Sequence, residues 1–232
     1  AYWKEASKRA TVTPEIRSTT EEITKGLKTP EEQAAAIYQW VNKNIRYLSV
    51  VADRNGWIPH DASEILANRY GDCKDYTTVL NAMLKVKGIE SHPVIIRSDS
   101  GHWFPTAATP AYFNHAILYI PSLDLFADAT APNTRLGLIT DSKKKKKAFL
   151  AGEKTGVIET PSNRPDDNIL SSDITINLGP DGSVKARSTN TYKGRTEILF
   201  RPLFANIDVG PVSNVFVSVL LEYYGMKGSG KI

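Results

Sequence analysis

The feature that most constrains the fold is a change in the spacing of apolar residues at Gly88. Before Gly88, apolar residues recur every three or four positions, which is the period of an amphipathic helix. After it, they form short runs rich in branched and aromatic side chains, which is typical of strands. Helices first and strands afterwards is the arrangement of the α+β class. We therefore predict an α+β fold with N-terminal helices and an antiparallel sheet.

Three of the predicted helices begin at recognisable capping residues. Pro14 and Pro30 each follow a threonine and precede a glutamate. Threonine is a preferred N-cap, and proline fits the first turn of a helix because its φ is already helical. Glu32 can also close a capping box with Thr29. Asp61 repeats this signature before a predicted short helix.

The predicted strands include two hairpins. The runs 112–120 and 123–127 flank a Pro-Ser turn, so they are expected to pair with each other. A further strand is predicted at residues 93–96. The second hairpin joins the alternating runs 174–178 and 184–192 through a Gly-Pro-Asp-Gly turn. The predicted strands all follow the helical region, and the two hairpins support the prediction of antiparallel pairing.

The chain is predicted to divide into three parts. Residues 1–140 hold the core, residues 141–168 form a loop or linker, and residues 169–232 hold the second hairpin and helices. The linker is predicted because glycines, prolines and the lysine run Lys143–Lys147 interrupt the apolar pattern. We expect the run to be exposed and without partners, since adjacent like charges repel. A patch for an anionic partner is the alternative.

The overall charge does not indicate a nucleic-acid partner. The net charge is +4, and without the lysine run the chain would be close to neutral. No apolar stretch is long enough to cross a membrane. Because the chain opens on AYWKEASKRA rather than on a basic and apolar leader, we expect it to be a piece of a longer protein.

Cys73, the single cysteine, lies between Asp72 and Lys74 at the start of a predicted helix. The first turn of a helix exposes unpaired N–H groups and the positive end of the helix dipole, which favour the thiolate form of a cysteine. Cys73 is therefore a candidate nucleophile, and its backbone N–H is a candidate donor to an oxyanion. The alternative is a structural cysteine that acts as a small apolar residue. A single thiol can form no internal disulfide.

A nucleophilic thiol needs a base, and the base needs a group that orients it. His115 lies inside an apolar strand, where a polar side chain is costly without a partner. The predicted hairpin places Asp128 nearby, where it could hold the imidazole through Nδ1–H. A buried core histidine and an aspartate that caps the loop at Thr130 are the alternatives. The other histidines are predicted in loops or at a strand start: His60, His92 and His102.

Three segments carry a resemblance to a known family: RYGDCKDYTTVLNAMLKVKGIESHPVII, FNHAILYI and LFADAT. With AIYQWVNKNIRYLSV, they resemble the core of the transglutaminase-like superfamily of papain-like thiol enzymes, over about residues 14–135. The likeness is greatest to a bacterial branch of exported or envelope proteins, in which a β-rich domain precedes the core and a β-containing region follows it. The resemblance implies that Cys73 is the nucleophile, His115 the base and Asp128 the acid.

The resemblance also bears on the fold and the binding pocket. It implies a papain-like transglutaminase core followed by a smaller β-containing region. Trp57 is a candidate oxyanion donor, with a packing role in a surface loop as the alternative. Many relatives have a tryptophan soon after the histidine, where this chain has Ile117 and Leu118. This departure concerns the shape of the pocket rather than the three implied catalytic residues.

The predicted activity is acyl transfer on amide bonds of a protein or peptide substrate. Hydrolysis of the thioester would make the chain a cysteine peptidase or amidase, which we favour, and attack by an amine would make it a protein transglutaminase. A non-catalytic binding module on the same fold is the alternative from another class. No metal or cofactor is implied, because the chain has no cysteine pair and no His-x-x-x-His spacing. The resemblance suggests an exported, periplasmic or envelope location.

Overall fold

The computed structural model describes residues 2–49, 56–101, 103–106, 110–153 and 155–205, with residues 217–219, 221–222, 225 and 227–230 near the C-terminus. The helices are α1 (Tyr2–Arg9), α2 (Pro14–Ile23), α3 (Pro30–Asn44), α4 (Ala62–Asn68), α5 (Cys73–Val86) and α6 (Arg195–Ala205). The strands are β1 (Arg46–Tyr47), β2 (Tyr70–Gly71), β3 (His92–Ile96), β4 (His115–Ile120), β5 (Leu125–Ala127), β6 (Lys147–Leu150), β7 (Gly156–Glu159), β8 (Leu170–Leu178) and β9 (Val184–Tyr192). The order confirms the predicted α+β class.

The starts of α2 and α3 are set by the predicted caps. The Thr13 hydroxyl caps α2. Thr29 and Glu32 form the predicted capping box, in which the Thr29 hydroxyl accepts one backbone N–H at 3.2 Å and the Glu32 carboxylate accepts another at 3.1 Å. Asp61 precedes α4 as predicted, but it does not cap the helix. Its carboxylate instead accepts a hydrogen bond from Arg9 at 3.0 Å, because α1 lies close to this end of α4.

A five-stranded antiparallel sheet has the strand order β5-β4-β3-β6-β7. β4 and β5 form the predicted hairpin, which turns through residues 121–123 and through Asp124 at a positive φ of 50°. β3 pairs with β4 on one side and with β6 on the other. His115, the first residue of β4, therefore lies opposite Ile96, the last residue of β3.

Helix α5 packs between the other N-terminal helices and the sheet. On β4, Leu118 and Ile120 belong to the apolar cluster on the helical side. Ile117 lies on the other face, in a cluster with Ile139 and Ala148, because successive strand residues point to opposite sides of a sheet. Each fully buried aliphatic side chain contributes about 1.5–3 kcal/mol relative to an exposed one. Apolar packing on both faces therefore fixes β4, and with it the position of His115.

The segment 141–168 differs from the prediction of a loop or linker. It contains β6 and β7, which extend the central sheet beyond β3. The prediction that the lysine run is exposed and without partners is wrong: Lys143 is 7% exposed and Lys146 is 4% exposed, and they form ion pairs with Asp128 and Asp99. A lysine can bury its aliphatic stem wherever its ammonium group reaches a carboxylate, so a run of lysines does not by itself indicate an exposed loop.

The second predicted hairpin consists of β8 and β9, which form a separate two-stranded sheet with almost entirely exposed side chains. Helix α6 contacts β9 through the stacked rings of Phe200 and Tyr192. Two helices are predicted over residues 196–224; α6 is the first, and much of the second lies outside the described residues. In the described part of the chain, no helix combines the length and the apolar character needed to cross a membrane.

Candidate active site

The segment Gly71 to Asp75 builds the start of α5 around Cys73. The Asp72 carboxylate accepts the N–H of Lys74, and the Asp75 carboxylate accepts the N–H of Asp72, both at 3.1 Å, which completes a capping box. A Cβ on Gly71 would lie 2.5 Å from the Cβ of Asp75, so only glycine fits at this position. Cys73 is therefore the first residue of the helix, as predicted, with its backbone N–H outside the intrahelical ladder.

Asp75 and Lys74 stabilise this helix start further. The buried Asp75 carboxylate also accepts the backbone N–H of His60 at 2.9 Å and lies 3.2 Å from His60 Nδ1. The Lys74 ammonium group forms a buried ion pair with Asp72. These contacts connect the loop that carries Trp57 to the helix that carries Cys73. They also explain why the cysteine has charged sequence neighbours: each carries out a structural task at the helix start.

His115 and Asp128 come together across the β4–β5 hairpin. His115 Nε2 lies 3.1 Å from Asp128 Oδ2. The sequence prediction placed Asp128 on Nδ1, and the structure corrects this to Nε2. Cys73 is the other hydrogen-bond partner of the His115 side chain. Nδ1 is then the nitrogen left to interact with Cys73.

Asp128 is 1% exposed, and both of its carboxylate oxygens have partners. Oδ1 accepts the N–H of Thr130 at 3.2 Å and its hydroxyl at 2.6 Å. Oδ2 lies 3.0 Å from Lys143 Nζ in addition to its contact with His115. The aspartate therefore caps the following loop and contacts the histidine at once, so the two interpretations of Asp128 are compatible.

Helix α3 holds the backbone around Asp128. The Tyr38 hydroxyl donates to the carbonyl oxygen of Asp128 at 2.8 Å. The Asn42 side-chain amide donates to the carbonyl oxygens of Ala129 and Ala131, each at 2.7 Å. A buried, hydrogen-bonded loop allows little movement of the carboxylate, so the orientation of His115 is set in part by α3.

The electrostatics favour a charged His115–Asp128 pair. Burial lowers the pKa of His115, but the hydrogen bond to Asp128 and the hydrogen bond and charge of Cys73 outweigh it, and the pKa is raised to about 9. Burial raises the pKa of the Asp128 carboxyl, yet the hydrogen bond and charge of His115 and the charge of Lys143 bring it well below its usual range. At neutral pH the pair is an imidazolium beside a carboxylate, a state that favours a thiolate on a neighbouring cysteine.

A cavity of about 230 Å³ opens over Cys73 and His115. Trp57, the predicted oxyanion donor, lines the same cavity and is 45% exposed. Its position thus allows contact with a ligand at Cys73. His60 and His92 do not line this cavity among the described residues, and His102 lies outside them.

Three side chains near the site were not identified from the sequence. Tyr47 and Tyr2 line the cavity. The Tyr47 hydroxyl is hydrogen-bonded to the backbone of Cys73, and burial followed by the charge of Cys73 raises its pKa to about 12. The ammonium group of Lys143 forms an ion pair with the Asp128 carboxylate. None of the three belongs to a short sequence pattern that indicates an active site, because the three side chains lie on separate segments of the chain.

The comparisons with known proteins agree with this core. Residues 17–116 match the sequence profile of the transglutaminase-like superfamily. This core is therefore similar to the transglutaminase-like superfamily over 100 of the 232 residues. The match includes Cys73 and His115 and ends before Asp128. A search of curated proteins found no significant match.

Two solved structures are similar to this chain. A "putative protease" from Parabacteroides distasonis ATCC 8503 has 16% identity and a TM-score of 0.55, over 78% of this chain and 37% of the other. A "putative cysteine protease" from Cytophaga hutchinsonii has 14% identity and a TM-score of 0.40, over 82% of this chain and 58% of the other. The first supports the fold assignment. The chain spans less than two thirds of either protein.

Proposed function

We propose that the chain is a papain-like thiol enzyme that transfers acyl groups from amide bonds, with Cys73 as nucleophile, His115 as acid and base, and Asp128 as the group that orients His115. The superfamily match over residues 17–116 and the fold support a thiol enzyme of this kind. The observation that carries the proposal is the 3.1 Å contact between His115 and Asp128 beside a cavity lined by Cys73. A base held by a buried carboxylate next to a thiol is the arrangement that activates a cysteine.

In the first step, the Cys73 thiolate attacks the carbonyl carbon of a peptide or related amide. The oxyanion that forms receives hydrogen bonds from the Cys73 N–H and from Trp57. The C–N bond then breaks, and the His115 imidazolium gives its proton to the leaving amine. The product of this step is a thioester on Cys73 and a neutral His115.

In the second step, neutral His115 takes a proton from the acceptor. With water as acceptor, the hydroxide attacks the thioester, the C–S bond breaks, and the thiolate returns with an imidazolium beside it. With an amine as acceptor, the same proton transfer gives a new amide. We favour water, so the chain acts as a cysteine peptidase or amidase, with a protein transglutaminase as the second candidate.

The test is the intact mass of the protein after exposure to a peptide pool, alone and with a primary amine. An acyl adduct on Cys73 that disappears with release of a carboxylic acid would support hydrolysis, and one that disappears with formation of an amide would support transamidation. Cys73→Ser is the control and should carry no adduct. Iodoacetamide labelling that titrates as an ordinary thiol, together with no adduct from any pool, would instead support a binding module on this fold.

A further inference from the structure

One lysine of the run contacts the acid of the proposed triad. Lys143 Nζ lies 3.0 Å from Asp128 Oδ2 and donates to the Thr140 hydroxyl at 2.8 Å. Its exposed fraction is 7%, whereas Lys145 and Lys147 are exposed. Lys143 is therefore a buried cation at the active site and not a member of a solvated patch.

The backbone at Lys143 is held on both sides. Its N–H donates to the carbonyl oxygen of Thr140 at 2.9 Å, in the tight turn at residues 141–143. Its carbonyl oxygen accepts the hydroxyl of the buried Thr160 at 2.6 Å, directly after β7. With the turn fixed against the sheet, the side chain can reach Asp128 without a large loss of conformational freedom.

As a result, Asp128 Oδ2 has two positively charged partners. His115 Nε2 contacts it from the hairpin, and Lys143 Nζ contacts it from the turn. Oδ1 is already used by Thr130. The negative charge that Asp128 offers to His115 is thus shared with the ammonium group of Lys143. Among the described residues, the other ionisable groups that line the cavity beside this pair are Tyr2, Tyr47, Asp72, Cys73 and Lys74. Tyr38 contacts the backbone of Asp128 from α3.

We propose that Lys143 is a positioning residue that holds the Asp128 carboxylate and limits how strongly it stabilises the His115 imidazolium. This inference deepens the proposed function and rests on it for its catalytic meaning. A cation beside the shared carboxylate disfavours a second cation on the imidazole, since like charges repel in a poorly solvated site. His115 then releases its proton to the leaving amine more readily than it would beside an unshared aspartate.

Both steps of the reaction depend on this balance. An imidazolium that is too stable is a weak acid toward the leaving amine, and it leaves little neutral imidazole to take a proton from water. Loss of the Lys143 charge should therefore slow acylation and hydrolysis at neutral pH while the thiol remains in place.

The experiment follows the ring signals of His115 by NMR across the pH range, in the parent, Lys143→Met and Lys143→Gln. His115→Gln assigns the signals. We expect the His115 midpoint to rise by about one pH unit in both lysine variants, which is the order of shift produced by a nearby charge. Lys143→Gln keeps a hydrogen-bond donor for Asp128 without the charge, so it gives the same test if Lys143→Met fails to fold.

Two further variants separate charge from burial. Lys143→Arg retains a positive charge and should keep the midpoint near that of the parent. Lys146→Met removes the other buried lysine of the run, whose partners are Asp99 and the Gly101 carbonyl oxygen, and should leave the midpoint unchanged. A lysine with only a structural role would lower the melting temperature in Lys143→Met and Lys146→Met alike without moving the His115 midpoint.

An unchanged midpoint in folded Lys143→Gln would overturn the inference. If the parent still forms an acyl adduct on Cys73 in that case, the proposed function stands without it. If the midpoint moves but the parent forms no adduct and labels as an ordinary thiol, the coupling of Lys143 to His115 stands and the acyl-transfer function fails.

Discussion

Two short charged segments meet at the site, and they obtain their partners in opposite ways. In residues 71–75, the caps and the ion pair that surround Cys73 join residues within three positions of one another, and Asp75 has a further partner in His60. In residues 143–147, the two buried lysines find their carboxylates on other parts of the chain, at Asp128 and Asp99. Chemistry that acts along one turn of helix can be predicted from the sequence, whereas chemistry that acts across the fold cannot.

Caps and buried ion pairs also contribute differently to the free energy of unfolding. An N-cap contributes about 1 kcal/mol, because solvent can partly replace it. Removal of one partner from a buried ion pair costs about 3–5 kcal/mol, because an uncompensated charge remains away from water. Each segment contains such a pair, Lys74 with Asp72 in the first and Lys143 with Asp128 in the second, so the largest single contributions to stability are expected from the buried pairs and not from the caps.

The largest expected effect is that of Cys73→Ser, within the first segment. The hydroxyl is a poor nucleophile at neutral pH, so thiol labelling and turnover should both be lost, the latter by at least about 10³-fold. The capping box of α5 does not use the cysteine side chain, so the thermal unfolding midpoint should stay near that of the parent. Full residual turnover would remove Cys73 from the mechanism.

Asp128→Asn is expected to have the next largest effect. Turnover should fall by a factor on the order of 10²–10⁴, since an amide can hold His115 in the wrong tautomer. Iodoacetamide labelling of Cys73 should shift to higher pH, because a less stabilised imidazolium supports the thiolate less well. Asp124→Asn, in the turn of the same hairpin, is the matched control. A labelling curve that overlays the parent's would leave Asp128 only its role as a cap for Thr130.

The lysine run can be divided into buried and exposed members. Lys143→Ser with Lys146→Ser should lower the free energy of unfolding by about 3 kcal/mol or more, measured with urea, because Asp128 and Asp99 lose partners. Serine at the exposed Lys145 and Lys147 together should change it by about 0.5 kcal/mol or less, as is usual for surface positions. Similar losses in the two variants would mean that the run acts as one unit.

The smallest expected effect is a pH dependence of stability. The pKa of His115 is raised to about 9 from an ordinary value of 6.5, so its charged form stabilises the folded state below pH 6.5, and this stabilisation is lost as the pH rises through about 9. His115→Gln should lack this decline. The difference between the two urea-unfolding curves, on the order of 2 kcal/mol at pH 6, should shrink toward pH 9. A difference that is constant with pH would argue against a raised pKa.

Helices α2 to α5 and both hairpins could be predicted because their signals are local. The Thr29 capping box, the turn after Ile120 and the glycine at position 71 each involve residues a few positions apart. The strands β6 and β7 could not, since four-residue strands next to a lysine run show no alternation that distinguishes them from a loop. Their pairing with β3 decides their structure.

By itself, the sequence determined the fold class, the start of α5 at Cys73 and the order of Cys73, His115 and Asp128 along the chain. Only the tertiary structure decided which imidazole nitrogen contacts Asp128, and that Lys143 shares its carboxylate. The reason is one of range. Caps and turns depend on backbone groups within one turn of the chain, whereas the orientation of a side chain and the partner of a buried charge depend on the packing of helices and strands that are distant in sequence.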